Sequence, residues 1–226
     1  MKIIDAHTHI DYITPDFQSN VVGCVCCTTT ENDWEKLICL MKDDNRVYGA
    51  FGFHPWFVNS VCDDFDARLQ KLLKANSNYM IGEIGLDKYK PNMDKQLDVF
   101  IKQFNLAIEL KRTVFLHCVG AWDKILHVLK QYKNLPIMVM HAFNGNENIL
   151  NDLLKYENIY FSFDKNALYD RNHRIQQIPM NKILVETDGK VDTDLMKIID
   201  EISNLKNESN AFDIIYNNTL KVLQNG

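Results

Sequence analysis

Eight short runs rich in β-branched and aliphatic residues recur along the chain, at about 2–6, 20–27, 47–52, 79–84, 113–117, 136–141, 158–163 and 182–187. Between them, apolar residues fall at helical spacing, as in Trp34, Leu37, Ile38 and Met41, in Phe65, Leu69, Leu72 and Leu73, and in Leu97, Phe100, Ile101, Phe104 and Ile108. The same spacing returns in Ile125, Leu126 and Leu129 and in Ile149, Leu150, Leu153 and Leu154. Strands that alternate with amphipathic helices are the pattern of repeated βα units on a parallel sheet. Eight such units predict a (β/α)8 TIM-type barrel, with the helical stripes packed on its outside. At 226 residues the chain is short for this fold. The barrel is therefore expected to be compact, with one helix reduced to a turn or the closure distorted. A doubly wound open sheet is the alternative, but it would gather its functional residues at a single switch point.

Residues able to bind metal or move protons stand where these runs end. The first run closes as Asp5-Ala6-His7-Thr8-His9. Side chains alternate across a strand, so His7 and His9 leave it on the same side. Glu83, His117, His141 and Asp188 follow later runs in the same way. Six groups from strands one, four, five, six and eight would thus converge on the carboxyl end of a barrel, the face on which such folds carry their active sites. Taken alone, a His-x-His pair is more often a hydrogen-bonded strand end. Glu83 and Asp188 could also serve as helix caps, a role open to Asp87 as well. Recurrence at so many strand ends favours a metal centre.

Composition narrows the alternatives. With 46% apolar residues in 226, the chain supports one sizeable core, read as a single domain over 1–226. No run of about 18 apolar residues is present to span a bilayer, and the N-terminal segment lacks the basic flank and apolar core of a signal peptide. A cytoplasmic protein without membrane contact is expected, and no obligate protein partner is implied. The six cysteines, Cys24, Cys26, Cys27, Cys39, Cys62 and Cys118, sit mostly inside apolar runs and are read as reduced thiols. A net charge of -5 gives no long-range attraction for polyanions, so any nucleic-acid contact must be local.

The motifs DAHTH (Asp5 to His9), GFHP (Gly52 to Pro55), GEIGLD (Gly82 to Asp87), FLHC (Phe115 to Cys118), HAFNG (His141 to Gly145), ETD (Glu186 to Asp188) and NNTLKVL (Asn217 to Leu223) stand in that order along nearly the whole chain. In this series the sequence resembles the TatD-like metal-dependent hydrolases of the amidohydrolase superfamily. The resemblance implies a barrel that holds two divalent ions, or sometimes fewer, and hydrolytic activity that in several members cleaves phosphodiester bonds in DNA. Carried over by position, His7, His9 and Asp188 would hold one ion, His117 and His141 the other, and Glu83 would bridge them. Asp188 would take the proton from the attacking water. Imidazole and carboxylate together suit zinc or manganese. Magnesium is less favoured, because it prefers oxygen ligands and retained waters.

Outside that set, His54 is read as a substrate-binding residue in the mouth, with a turn histidine before Pro55 as the alternative. His127 and His173 are read as surface residues, and Cys118 as pointing away from His117. Phe53, Trp56 and Phe57 surround His54 and either stack on a planar substrate or close the core. Two departures bear on the substrate. Val119-Gly120-Ala121-Trp122 replaces a stretch that carries an arginine in many members, and Gly189-Lys190 follows the ETD motif in place of Ser-Pro. Lys190 is the candidate to restore the missing positive charge, with Lys88, Lys90 and Lys165 as further candidates around the mouth. The expected substrate is a nucleic-acid end, single-stranded DNA included. The alternative is a small ester, lactone or amide, and a non-catalytic binding protein is disfavoured because every proposed ligand is present.

Overall fold

The structure is a computed structural model and describes residues 1–12, 20–166, 174–190 and 192–224. Its strands are β1 (Ile3–His9), β2 (Val21–Cys27), β3 (Val47–Phe51), β4 (Met80–Asp87), β5 (Val114–Val119), β6 (Met138–Met140), β7 (Ile159–Phe163) and β8 (Ile183–Val185). Each pairs in parallel with the next, giving one sheet in the order β1 to β8 that curls into a nearly closed barrel. Helices α1 (Asn32–Asp43), α2 (Phe65–Ala75), α3 (Met93–Leu110), α4 (Trp122–Leu129), α5 (Glu147–Leu153), α6 (Arg174–Gln177), α7 (Leu195–Lys206) and α8 (Ala211–Gln224) complete the βα pattern. Among the described residues, the β1–β2 connection holds only the 3-10 turn Ile10–Tyr12, and α6 is a single turn before β8. That is how a short chain fits this fold. His173 lies outside the described residues.

Two apolar layers result. One residue or more from every strand, including Ala6, Val25, Ala50, Met80, Phe115, Val139, Tyr160 and Leu184, meet in the barrel interior. The outer layer, with Ile81, Phe104, Leu116 and Leu129 among its members, fills the space between strands and helices. Strands covered on both faces are apolar throughout, which is why the strand runs read as continuous rather than alternating. Helix α8 contributes Val222 to the interior cluster. The Thr113 hydroxyl, just ahead of β5, donates to the Val222 carbonyl at 3.1 Å, so this helix closes the amino end of the barrel.

The interior pattern is irregular beside His7 and beside Glu83. The pairing of β1 with β2 shifts register between Asp5 and Thr8, and that of β4 with β5 shifts between Ile81 and Ile84. Each irregularity breaks the strict alternation that follows from Ala6 and from Met80, and His7 and Glu83 thereby join the interior. Gly85, with φ 148°, allows β4 to press against β5 here, since a Cβ would lie 1.9 Å from the His117 carbonyl oxygen.

The seam between β8 and β1 is closed by side chains as well as backbone. Thr187 donates its amide to Asp5 Oδ1 at 2.9 Å and its hydroxyl to Oδ2 at 2.6 Å. The Asp188 amide donates to the His7 carbonyl at 3.0 Å. Burial raises the Asp5 carboxyl from 3.8 to about 7, against the lowering effect of its hydrogen bonds to Thr187 and His7. A group that holds its proton more tightly in the folded state adds stability below its unfolded pKa, here 3.8, and loses that contribution as pH rises through about 7. Asp5→Asn keeps an acceptor for the two amides without the charge. Its melting temperature is expected to gain on wild type as pH rises from about 4 to about 8. A difference that stays constant across that range in calorimetry would contradict this role.

Candidate metal centre

The carboxyl ends of the strands enclose a cavity of about 400 Å³, lined by His9, His54, Glu83, His117, His141 and Asp188 among others. His7 lies beneath it, fully buried, with its ring stacked on His141 at 3.7 Å between centroids. Glu83 is the hub. Its Oε2 lies 3.3 Å from His7 Nε2 and 3.4 Å from His9 Nε2. Its Oε1 lies 2.7 Å from His117 Nδ1, 3.3 Å from His54 Nε2 and 3.8 Å from His141 Nε2. Asp188 Oδ1 completes the group, 3.9 Å from His7 Nε2, 3.7 Å from His9 Nε2 and 3.6 Å from His141 Nε2. All six residues expected to meet at strand ends are together, and His54 joins them.

Strand geometry explains how each arrives. His117 and His141 stand two residues beyond the interior residues Phe115 and Val139, so alternation alone brings them to the cavity. His7 and Glu83 enter through the register shifts. Asp188 lies past the end of β8 at φ 53°, a left-handed conformation that turns the chain at this point and that aspartate tolerates better than most residues. Ala142, next to His141, is also left-handed at φ 41°, and its amide donates to Glu186 Oε1 at 2.9 Å. Backbone strain of this kind gathers at functional sites.

The arrangement of the nitrogens favours a cation. His9 Nδ1 lies 3.0 Å from the Cys27 carbonyl oxygen, to which it donates, and this leaves the Nε2 lone pair facing the cluster. His7 Nε2 is only 3.3 Å from that atom, and His7 Nδ1 is buried with no hydrogen-bond partner among the described residues. His117 Nε2 is likewise buried without a hydrogen-bond partner. Among the described residues, three sets of side chains could hold a metal ion: His7, His9 and Asp188; His7, Glu83 and His141; and His54, Glu83 and His117. The third is weakened by its tautomer. His54 Nδ1 accepts the Trp56 amide at 3.2 Å, so its proton is on Nε2, where it donates rather than coordinates.

Electrostatics agree with the donor set. Burial opposes ionisation of Glu83, but His54, His141 and His7 hold its carboxyl well below the usual range. Burial, reinforced by His141, lowers His7, and burial likewise lowers His54. Burial also disfavours charge on His141, yet Glu186 and Glu83 push it up to about 10. A field strong enough to hold a proton there attracts a divalent cation in its place.

Several partners were not singled out in the sequence. Glu186 Oε1 lies 2.7 Å from His141 Nδ1 and accepts from the Ser162 hydroxyl through Oε2, so it orients His141 with Nε2 towards the cavity. The ETD motif contains it, and two-residue alternation from the interior Leu184 points to it. Asp87 is not a helix cap. It accepts from the Tyr89 amide at 2.8 Å and from Trp56 Nε1 at 2.6 Å, whereas α3 begins after Asn92. Lys190 Nζ lies 2.6 Å from both Asp164 Oδ2 and Asp188 Oδ2, so two carboxylates engage it. Phe53 belongs to the core, while Trp56 and Phe57 remain exposed at the cavity. His127 is exposed on α4. Cys118 is buried in the outer layer, where burial pushes its thiol up to about 12.

Residues 4–223 match the family model described as TatD related DNase. The chain belongs to this family. It is 29% identical over 217 residues to the human protein named 3'-5' RNA nuclease TATDN2, a match that covers 82% of this chain but only 28% of that protein. It is 27% identical over 192 residues to the 3'-5' ssDNA/RNA exonuclease TatD of Enterobacter lignolyticus, covering 81% and 74% of the two chains. The crystal structure of YJJV, a TatD homologue from Escherichia coli, superposes with a TM-score of 0.86 at 22% identity over 97% of each chain and shares the barrel fold. Within this TatD-type barrel, Glu186→Gln keeps the size of the side chain that orients His141 but removes its charge. Affinity for manganese is expected to fall about 10- to 100-fold in calorimetric titration. Unchanged affinity would separate Glu186 from the metal centre.

Proposed function

We propose that this chain is a metal-dependent phosphodiesterase that removes nucleotides from the ends of single-stranded nucleic acid. The observation that carries the reading is the burial of Glu83 among His7, His9, His54, His117 and His141, with Asp188 Oδ1 on the open side. In this reading His7, His9 and Asp188 hold one divalent ion, His117 and His141 a second, and Glu83 serves both. Zinc or manganese suits such imidazole and carboxylate donors better than magnesium. Family membership and the nuclease names of two relatives support the substrate class.

Divalent ions held there would supply Lewis acidity, to lower the pKa of water and to polarise a phosphoryl oxygen. The chain's own groups do the rest. Asp188 presents Oδ1 to the cluster while Lys190 holds Oδ2, which fixes the orientation of the carboxylate. Burial would raise its pKa, but His141, His7 and Lys190 lower it, so Asp188 is ionised at neutral pH and able to accept a proton from water. It then returns that proton to the leaving oxygen. His54 directs its Nε2 proton towards Glu83 Oε1, 3.3 Å away, and so helps to hold that carboxylate in place. An ammonium has three donors, and the two carboxylates leave Lys190 one for a phosphate oxygen that approaches Asp188.

A small ester or lactone is the second reading. It is favoured by the engagement of Lys190 with Asp164 and Asp188 and of Lys165 with Asp192, which leaves little free positive charge for a polyanion on that side. Assays of manganese- or zinc-loaded protein on single-stranded DNA and on a lactone panel separate the two readings. Faster turnover of lactones than of any phosphodiester would replace the first by the second. Asp188→Asn preserves shape but cannot accept the proton. Turnover is expected to fall at least about 100-fold while most bound metal remains. Full activity in that variant would move the base elsewhere.

A further inference from the structure

The mouth of the cavity carries a feature that the proposed chemistry does not use. Trp56 follows His54 in the 3-10 turn Pro55–Ser60 and is 51% exposed, with Phe57 beside it 40% exposed. Both line the cavity, and Tyr89, still more exposed, sits on the neighbouring loop after β4. Apart from these three, the large apolar side chains exposed among the described residues are Met1 and Val22.

An exposed indole is ordinarily mobile, but this one is held. Its Nε1 donates to Asp87 Oδ2 at 2.6 Å, and Asp87 is itself buried and fixed by the Tyr89 amide at 2.8 Å. The Asp87 amide in turn donates to the Gln96 side chain at 2.8 Å. The indole plane stands nearly perpendicular to both histidine rings of the mouth, its centroid 5.2 Å from that of His54 and 6.3 Å from that of His117. Lys90 places Nζ 4.0 Å from its ring centroid. Among the described residues, no carboxylate lies within ion-pair distance of Lys90, unlike Lys165 and Lys190.

We propose that Trp56 is a stacking platform for the terminal nucleobase of the substrate, and that Lys90 meets the phosphate beside that base. This rests on the phosphodiesterase reading above and gives it a means of recognising nucleotides. Every base has an aromatic face, so a fixed indole binds strand ends with little sequence preference. Because Asp87 already orders the ring, little side-chain entropy remains to be lost on binding. Lys90, with no carboxylate within ion-pair distance among the described residues, supplies the positive charge that the paired lysines do not. A duplex end would have to fray before its base could reach the ring.

The test uses manganese-loaded protein and two short oligothymidylates of equal length, one complete and one abasic at both ends. Wild type is expected to show a kcat/KM about tenfold higher for the complete oligomer. Trp56→Ala is expected to bring that ratio to about one, and Lys90→Gln to reduce the salt dependence by about one phosphate contact. Binding is read separately in the Asp188→Asn background by indole fluorescence. Trp34 and Trp122 are buried, so the complete oligomer is expected to quench mainly Trp56, and the abasic one much less. Equal quenching by both oligomers, none by either, or a Trp56→Ala variant that keeps the wild-type ratio would overturn the platform. If wild type cleaves both oligomers equally well, the platform fails but the phosphodiesterase reading stands. If complete oligomers quench Trp56 yet no phosphodiester is cleaved, the platform stands and the catalytic reading fails.

Discussion

A carboxylate with almost no solvent exposure, surrounded by five imidazoles, is the constraint on which this structure turns. Burying an unpaired charge costs several kcal/mol, and removing the partner of a buried pair costs about 3–5 kcal/mol. Glu83 therefore has to be compensated where it lies, at 1% exposure among His7, His9, His54, His117 and His141. Neutral imidazoles compensate it only in part. His54 can turn its Nε2 proton to the carboxylate, but His9 spends its Nδ1 proton on a backbone carbonyl and so turns a lone pair towards it. Divalent cations satisfy the lone pairs and the charge together, which a fully protonated cluster could not do without repulsion among the rings.

The barrel exists in a form that serves this cluster. Its seam is closed through Asp5, Thr187 and the Asp188 amide, so the hydrogen bonds that join β8 to β1 also set the position of Asp188 against His7. A second ring of groups orients the first: Glu186 on His141, the Cys27 carbonyl on His9, Lys190 on Asp188. Such outer partners fix tautomer and direction before any ligand arrives, which is the preorganisation a catalytic site depends on. Glu186 and Cys27 stand at strand ends, which keeps their part of the site within the stiff part of the fold.

The parallel barrel was legible because strands covered on both faces read as unbroken apolar runs separated by helical stripes. His117 and His141 were legible for the same reason, since they continue the interior alternation of Phe115 and Val139. His7 and Glu83 were found from their motifs, but how they reach the interior was not. Strict alternation does not by itself send them there, and only the register shifts in β1 and β4 do so. Those shifts depend on contacts with neighbouring strands that no local pattern records. Glu186 was overlooked beside Asp188 although alternation from Leu184 points to it. The pairing of Lys190 with Asp164 spans 26 residues, so sequence proximity gave no hint that the candidate cation would be so engaged. The capping role open to Asp87 is not the one it plays, because its partner, Trp56, comes from the previous βα unit.

The central claim is that the histidine and carboxylate cluster around Glu83 is a cation site. Its most direct test is the number of metal ions per chain, measured by elemental analysis on protein purified without chelator and again after incubation with manganese or zinc and desalting. The expected result is between one and two ions per chain, lost on treatment with chelator and regained on reloading. A value near zero under all these conditions, in folded protein, would contradict the claim.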